Sequence, residues 1–228
     1  MRYNTVLFDA DGTILDFEKS EREALLEVLG NVGIDADNQA VAAYSQINDR
    51  LWKMLERKEI EREVLSYRRF ELLAEHLGCD FDAKQMSKNY ISTIAEKGYL
   101  LQGARELLDK LYGKVRMYVV TNGTESVQRG RHAKTGIEKY FDGIFISQVI
   151  GYNKPDERFF EHVAQSVPNF DKATTIVVGD SLSSDIKGGN NFDIDTCWYA
   201  PHTDAVATVA TPTYTAHTYD EIYKIIVG

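Results

Sequence analysis

Two carboxylates, Asp9 and Asp11, stand two positions apart in the run Asp9-Ala10-Asp11-Gly12-Thr13, directly after the apolar stretch Thr5-Val6-Leu7-Phe8. A continuous β-favouring run of this kind reads as a strand covered on both faces, so both acids fall at the carboxyl end of a buried strand. In open α/β sheets ligands bind in the crevice beyond those ends. Carboxylates crowded there repel each other unless a cation joins them or one takes a proton, which points to hard-metal or acid–base chemistry. Asp and Gly are also ordinary turn formers, so this run alone leaves a plain turn open.

Three further segments repeat the pattern of an apolar run ending in polar groups. Arg116-Met117-Tyr118-Val119-Val120 leads into Thr121-Asn122-Gly123, and Thr174-Thr175-Ile176-Val177-Val178 leads into Gly179-Asp180-Ser181, with Asp185 five residues beyond Asp180. Between them Ile144-Phe145-Ile146-Ser147 is followed, through a loop, by Lys154-Pro155. Strands alternating with helical patterns predict a doubly wound parallel sheet, which gathers these strand ends along one edge. A lysine before proline is biased to extended backbone, and this one lies in the loop after the Ile144 strand.

These four motifs, in this order and spacing, resemble the haloacid dehalogenase (HAD) superfamily of phosphohydrolases over essentially the whole chain. The stretches Leu51-Trp52, Arg69-Phe70-Glu71, Ser126-Val127-Gln128, Arg131, Thr135-Gly136 and Thr196-Cys197-Trp198 further resemble the YjjG/YfnB-type pyrimidine 5′-nucleotidases within it. The resemblance implies a Rossmann-like α/β core and a phosphoaspartyl mechanism. Asp9 is then the nucleophile that attacks phosphorus, and Asp11 protonates the leaving oxygen and later activates water. Relatives that cleave carbon–halogen or carbon–phosphorus bonds lack an Asp at the second position, so phosphate-ester hydrolysis is favoured. Asp180, Asp9 and the Asp11 backbone carbonyl would hold Mg2+. Thr121, Asn122, Gly123 and Lys154 would bind the phosphoryl group. Ser181 and Asp185 would support this set from behind, Asp185 by orienting Lys154 or a metal-bound water; as a bare pattern, Asp185 also suits a helix start. The implied substrate is a nucleoside monophosphate carrying a pyrimidine or modified base. A phosphosugar phosphatase or mutase of the same superfamily is the alternative, and a non-enzymatic phospho-acceptor switch is a more distant one, disfavoured by the acid at Asp11.

Residues 16–97 read as helical throughout. Ala24, Leu25, Val28 and Leu29 form one amphipathic stripe, Ile47, Leu51, Met54 and Leu55 a second, Phe70, Leu73, Ala74 and Leu77 a third, and Met86, Tyr90, Ile91 and Ile94 a fourth. Four such stripes can close a small core of their own. The expected organisation is therefore a catalytic α/β core from residues 1–15 and 98–228, interrupted by a helical cap domain of the C1 type over residues 16–97. The helix from Ser126 to about Lys134 is assigned to the α/β piece. Phe17, Trp52 and Arg69 are the expected cap contacts to the leaving group, although Trp52 at helical spacing suits packing equally well. Residues 203–215, rich in Thr and Ala, read as a surface loop.

Composition sets bounds on the partners. The chain has 228 residues, 43% of them hydrophobic and 27% charged, with a formal net charge of -9. That balance argues against a nucleic-acid backbone or an anionic membrane as the main partner, while a small phosphate ester needs positive charge only locally. Cys79 and Cys197 are far apart and read as separate thiols of a reducing compartment. His76, His132, His162, His202 and His217 show no paired metal-ligand spacing. With neither a secretory pattern nor a membrane-length apolar run, the expected location is cytoplasmic.

Overall fold

In the computed structural model, which describes residues 1–202 and 209–228, the apolar runs form six strands of one sheet. The elements follow in chain order as β1 (Thr5–Phe8), α1 (Phe17–Gly30), α2 (Asn38–Glu56), α3 (Arg62–Leu77), α4 (Ala83–Ala95) and α5 (Ala104–Leu111). After these come β2 (Arg116–Thr121), α6 (Glu125–Thr135), β3 (Gly143–Ile146), α7 (Ser147–Ile150), α8 (Glu157–Ser166) and β4 (Thr175–Gly179). The chain ends with α9 (Lys187–Asn191), β5 (Asp195–Tyr199), β6 (Tyr214–Ala216) and α10 (Tyr219–Val227). Part of the stretch expected as a surface loop, residues 203–208, lies outside the described residues.

Every strand pairing is parallel, and the order is β3-β2-β1-β4-β5-β6. β1 sits between β2 and β4, where the order reverses, which is the switch point at which open α/β sheets bind ligands. Side chains of a strand alternate between faces, and here both faces are covered, as continuous apolar runs require. Val6, Phe8, Val119 and Val178 pack with Leu107 and Leu108 of α5 and with Ile222 and Ile226 of α10. Leu7, Val120 and Val177 face the other way, onto Phe159, Phe160 and Val163 of α8.

The chain divides into two units: residues 1–16, 99–125 and 135–228 carry the sheet, and residues 17–98 together with 126–134 form a helical unit. In the helical unit Leu25, Leu29, Phe70, Leu73, Tyr90 and Ile94 make one core, joined by Tyr44 from α2. The α2 residues Leu51 and Leu55, expected to belong to that core, instead form a smaller cluster with Leu65. The segment 126–134 differs from its expected place in the α/β piece, because Val127 of α6 packs into the helical core and Arg131 donates to Ser20 at 3.1 Å. Gly130 permits this: a Cβ there would lie 2.5 Å from the Ala95 carbonyl oxygen, so only glycine lets α6 approach the end of α4 so closely. Cys79 and Cys197 are free thiols, the second buried. Among the described residues no helix is long and apolar enough to cross a membrane.

Candidate active site

The ends of β1, β2 and β4 lie side by side because their ladders are in register. Phe8 is paired with Val119 on one side and Val178 on the other, so Asp9, Thr121 and Asp180 emerge at one edge. Asp9 is still tied to the sheet by its N–H, which donates to the Val178 carbonyl at 2.8 Å. The chain then turns sharply, with Ile14 and Leu15 N–H groups donating to the Ala10 carbonyl at 2.9 and 2.7 Å. Gly12 has φ of 81°, and a Cβ there would stand 2.4 Å from Oδ2 of Asp180. Both its conformation and its contact therefore demand glycine.

Lys154 is the hub of the site. Its ammonium is 1% exposed and donates to Asp9 Oδ1 at 2.7 Å, to Asp185 Oδ1 at 2.5 Å and to the Val120 carbonyl at 2.6 Å. All three of its donors are thereby used, as a buried ammonium requires. Burial works to lower its pKa, but the charges of Asp185 and Asp9 outweigh that and hold it above the ordinary lysine range. The Lys154–Pro155 peptide is cis, and α8 begins two residues beyond the proline behind an Asp156 cap that accepts the Arg158 N–H.

The Asn122 amide nitrogen donates to the Lys154 carbonyl at 2.9 Å and its Oδ1 accepts the Lys154 N–H at 2.8 Å, so this side chain fixes the lysine backbone. Thr121 is buried, and its hydroxyl accepts the Gly123 N–H at 3.0 Å. Asp185 is wholly buried. Its second oxygen accepts the Ser181 N–H at 3.1 Å, while the Ser181 hydroxyl accepts from Ser184 at 3.3 Å. Residues 182–186 wind as a single π-helical turn, and this aims Asp185 back beneath Gly179.

Asp9, Asp180 and Asp185 each offer a carboxylate oxygen within 4.8 Å of the others. Burial first, and then the charges of Asp185 and Asp180, raise the Asp9 pKa well above the usual carboxylate range against the pull of Lys154. Asp180 opens to solvent at the mouth of the cluster yet is ringed by protein, which with the Asp185 charge pushes its carboxyl up to about 7. Ionised together, three carboxylates would outweigh the one ammonium by two negative charges, and an all-oxygen donor set of this kind suits a hard divalent cation such as Mg2+. Both oxygens of Asp185 are engaged by Lys154 and Ser181, so Asp9 and Asp180 are the carboxylates left to hold such an ion. Asp11 is half-buried in the turn that follows Asp9.

The three residues expected to meet the leaving group all belong to the helical unit and have separate surroundings. Phe17 lies under the Arg131 guanidinium at 5.6 Å, and Trp52 lies under that of Arg62 at 5.3 Å. Arg69 is buried, lies 4.9 Å from the Tyr90 ring centre and donates to Asn48 Oδ1 and the Ser66 carbonyl at 3.1 Å each. Asn48 in turn donates to Glu21 at 3.0 Å, and Ser45 donates to the other Glu21 oxygen. This buried polar group was not visible in the sequence, where Glu21 and Asn48 look like ordinary helix-surface residues. Burial, opposed by Ser45 and Arg69, pushes the Glu21 carboxyl up to about 7.

Comparison with known proteins agrees with this geometry. The family model for haloacid dehalogenase-like hydrolases matches residues 3–193. Along its length the chain is similar to the pyrimidine 5′-nucleotidase PynA of Streptococcus pneumoniae, with 41% identity covering 97% of this chain and 94% of the relative. It is also similar to the pyrimidine 5′-nucleotidase YjjG of Escherichia coli, with 28% identity covering 99% of each. Among solved structures, the HAD-hydrolase YfnB of Bacillus subtilis, bound to magnesium, superposes with a TM-score of 0.94 at 34% identity, covering 99% of both chains. The fold, the four strand-end motifs and these matches together make the chain a member of the haloacid dehalogenase-like hydrolases.

Proposed function

We propose that the chain is a Mg2+-dependent phosphomonoesterase that passes through a phosphoaspartate on Asp9, with pyrimidine or non-canonical nucleoside 5′-monophosphates as its substrates. The observation that carries the proposal is the buried ammonium of Lys154 bridging Asp9 and Asp185 beside Asp180. A phosphate dianion meets strong repulsion from carboxylates, and Lys154 places one positive charge where the dianion must approach. Mg2+, held by Asp9, Asp180 and the Asp11 carbonyl, would supply the remaining charge compensation.

The chain's own groups then divide the work. An Asp9 carboxylate oxygen attacks phosphorus while the ester P–O bond breaks and Asp11 gives its proton to the departing oxygen. Asp11, now a carboxylate, takes a proton from water as that water attacks the phosphoaspartate; inorganic phosphate leaves and Asp9 is regenerated. Lys154 holds Asp9 by one oxygen throughout, and Asn122 holds Lys154 by its backbone. Thr121 and the Gly123 backbone contribute to phosphoryl binding. The 41% identity to a protein named as a pyrimidine 5′-nucleotidase supports the substrate class. Selectivity for the nucleoside is assigned to the helical unit, with Phe17, Trp52 and Arg69 as its contributors.

Rapid-quench mass spectrometry with p-nitrophenyl phosphate tests the covalent step, because that leaving group hardly needs a proton. Asp11→Asn should accumulate phosphate on Asp9, and Asp9→Asn should carry none. A panel of nucleotides, sugar phosphates and small esters, assayed with Mg2+ and with a chelator, tests substrate and ion. Multiple-turnover hydrolysis by Asp9→Asn would sink the mechanism, and preference for a sugar phosphate would sink the nucleotidase assignment.

A further inference from the structure

The C-terminal part of the sheet unit reaches back to the acid-bearing loops by two side-chain hydrogen bonds. The β4–β5 ladder ends at the pair Gly179 and Trp198, one residue short of Asp180, so the Asp180 carbonyl has left the sheet. The Trp198 indole N–H donates to it at 2.9 Å. Trp198 is 7% exposed and packed with Leu182, Ile186 and Ala200, so the donor is fixed by the core. On the other side, the Tyr219 hydroxyl donates to the Thr13 carbonyl at 2.8 Å, and the Thr13 hydroxyl donates to Asp180 Oδ1 at 3.3 Å.

Tyr219 is itself held in place. It opens α10 just after Thr218, whose capping box with Glu221 sets the start of that helix. Its ring stacks on Tyr199 with centres 4.8 Å apart and an interplanar angle of 28°. Gly103, at φ of 89°, leaves room for the ring, since a Cβ there would lie 3.0 Å from it. Trp198 and Tyr199 are neighbours on β5 and point to opposite faces of the sheet. One reaches the Asp180 backbone directly, and the other reaches the Asp180 carboxylate through Tyr219 and Thr13.

We propose that Trp198 and Tyr219 are positioning residues that set the affinity of the site for its divalent cation, by pinning the peptide after Asp180 and the turn carrying Asp11. Neither touches the reacting atoms. Outer groups that orient metal ligands influence affinity strongly because the ion gains full benefit only from ligands already in place. The proposal rests on the Mg2+ reading of Asp9 and Asp180 made above.

Mg2+ binding to chelator-treated protein, measured by isothermal titration calorimetry, tests it. Trp198→Phe and Tyr219→Phe remove the two donors and keep an aromatic ring, and each should weaken Mg2+ binding about tenfold. At saturating Mg2+ the turnover number should return to within about twofold of the parent, because the loss lies in ligand placement and not in the chemical step. A purely structural role would lower melting temperature and leave the dissociation constant alone; that result in both variants overturns the proposal. A second measurement keeps Trp198 intact: the chain has two tryptophans, so Trp52→Phe leaves Trp198 as the sole indole emitter, and Mg2+ should shift its emission with the calorimetric midpoint. Silent emission in a variant that binds Mg2+ also overturns it. Parent protein that binds no Mg2+ refutes the metal reading itself and removes the basis of this one, which the parallel parent titration separates from failure of the positioning idea alone.

Discussion

Replacing Asp185 with asparagine keeps the shape of a fully buried side chain and changes only what its two ends can do. One carboxylate oxygen accepts the Lys154 ammonium at 2.5 Å and the other accepts the Ser181 N–H at 3.1 Å. Asparagine has a single oxygen, so one end must present an amide NH2 to a donor. Keeping the oxygen on Lys154 is the cheaper choice, and it sets the new NH2 against the Ser181 N–H. There is no room to turn aside, because a Cβ on Gly179 would lie 2.3 Å from the Asp185 carboxylate carbon. A buried unsatisfied donor costs about 1–3 kcal/mol, and a charge-assisted bond to Lys154 falls to that of a neutral acceptor. The total should approach the range of about 3–5 kcal/mol typical of removing one partner from a buried ion pair.

For a chain of this length each kcal/mol moves the melting temperature by about 2–4 °C. Asp185→Asn should therefore melt roughly 10 °C below the parent on that scale when both are metal-free at pH 8. Lys154 also loses one of the two charges that hold it, so kcat/KM for a phosphate ester should fall by at least about tenfold at saturating Mg2+, in line with the sensitivity of catalysis to misplacement of a charged group. Thermal unfolding and steady-state kinetics on the same preparation would check both. A variant that melts within about 2 °C of the parent and keeps its kcat/KM would refute the view that Asp185 is the buried anchor of Lys154.

Glu21, raised from 4.5 to about 7 by burial, binds its proton more tightly in the folded chain than in the unfolded one, so its contribution to stability is full below about pH 4.5 and lost as pH rises through about 7. At 1.36 kcal/mol per pKa unit this is about 3 kcal/mol; Glu21→Gln should improve by that amount relative to the parent between acid and alkaline pH in denaturant titrations, and a gap that does not change with pH would contradict it. Gly12→Ala should be costly for two reasons, the positive φ and the 2.4 Å approach of the new methyl group to Asp180. It should weaken Mg2+ binding as well as lower stability, and unchanged binding would show that the carboxylate has freedom the structure denies it.

The strands and the acids at their ends were legible because a parallel sheet is written in local runs: Thr5–Phe8, Arg116–Thr121 and Thr175–Gly179 are β-favouring stretches that run on into polar residues, and registration of the sheet does the rest. The helical insert was equally plain from its apolar spacing. What those groups do once assembled was not legible, because it depends on side chains meeting across long sequence separations. The Asn122 side chain is bonded to the backbone of Lys154, 32 residues away, a pairing that the local motif does not announce. Nothing local marks Gly130 as the residue that lets α6 join the helical unit, since its reason is the Ala95 carbonyl. Trp198 and Tyr219 reach the active-site loops from the far end of the chain and look like ordinary apolar fillers of a strand and a helix. Periodicity reports which face a residue takes; it does not report which backbone carbonyl waits at that face. Trp198 and Tyr219 orient the backbone of the acid-bearing loops from β5 and α10, two elements that contribute no carboxylate to the site.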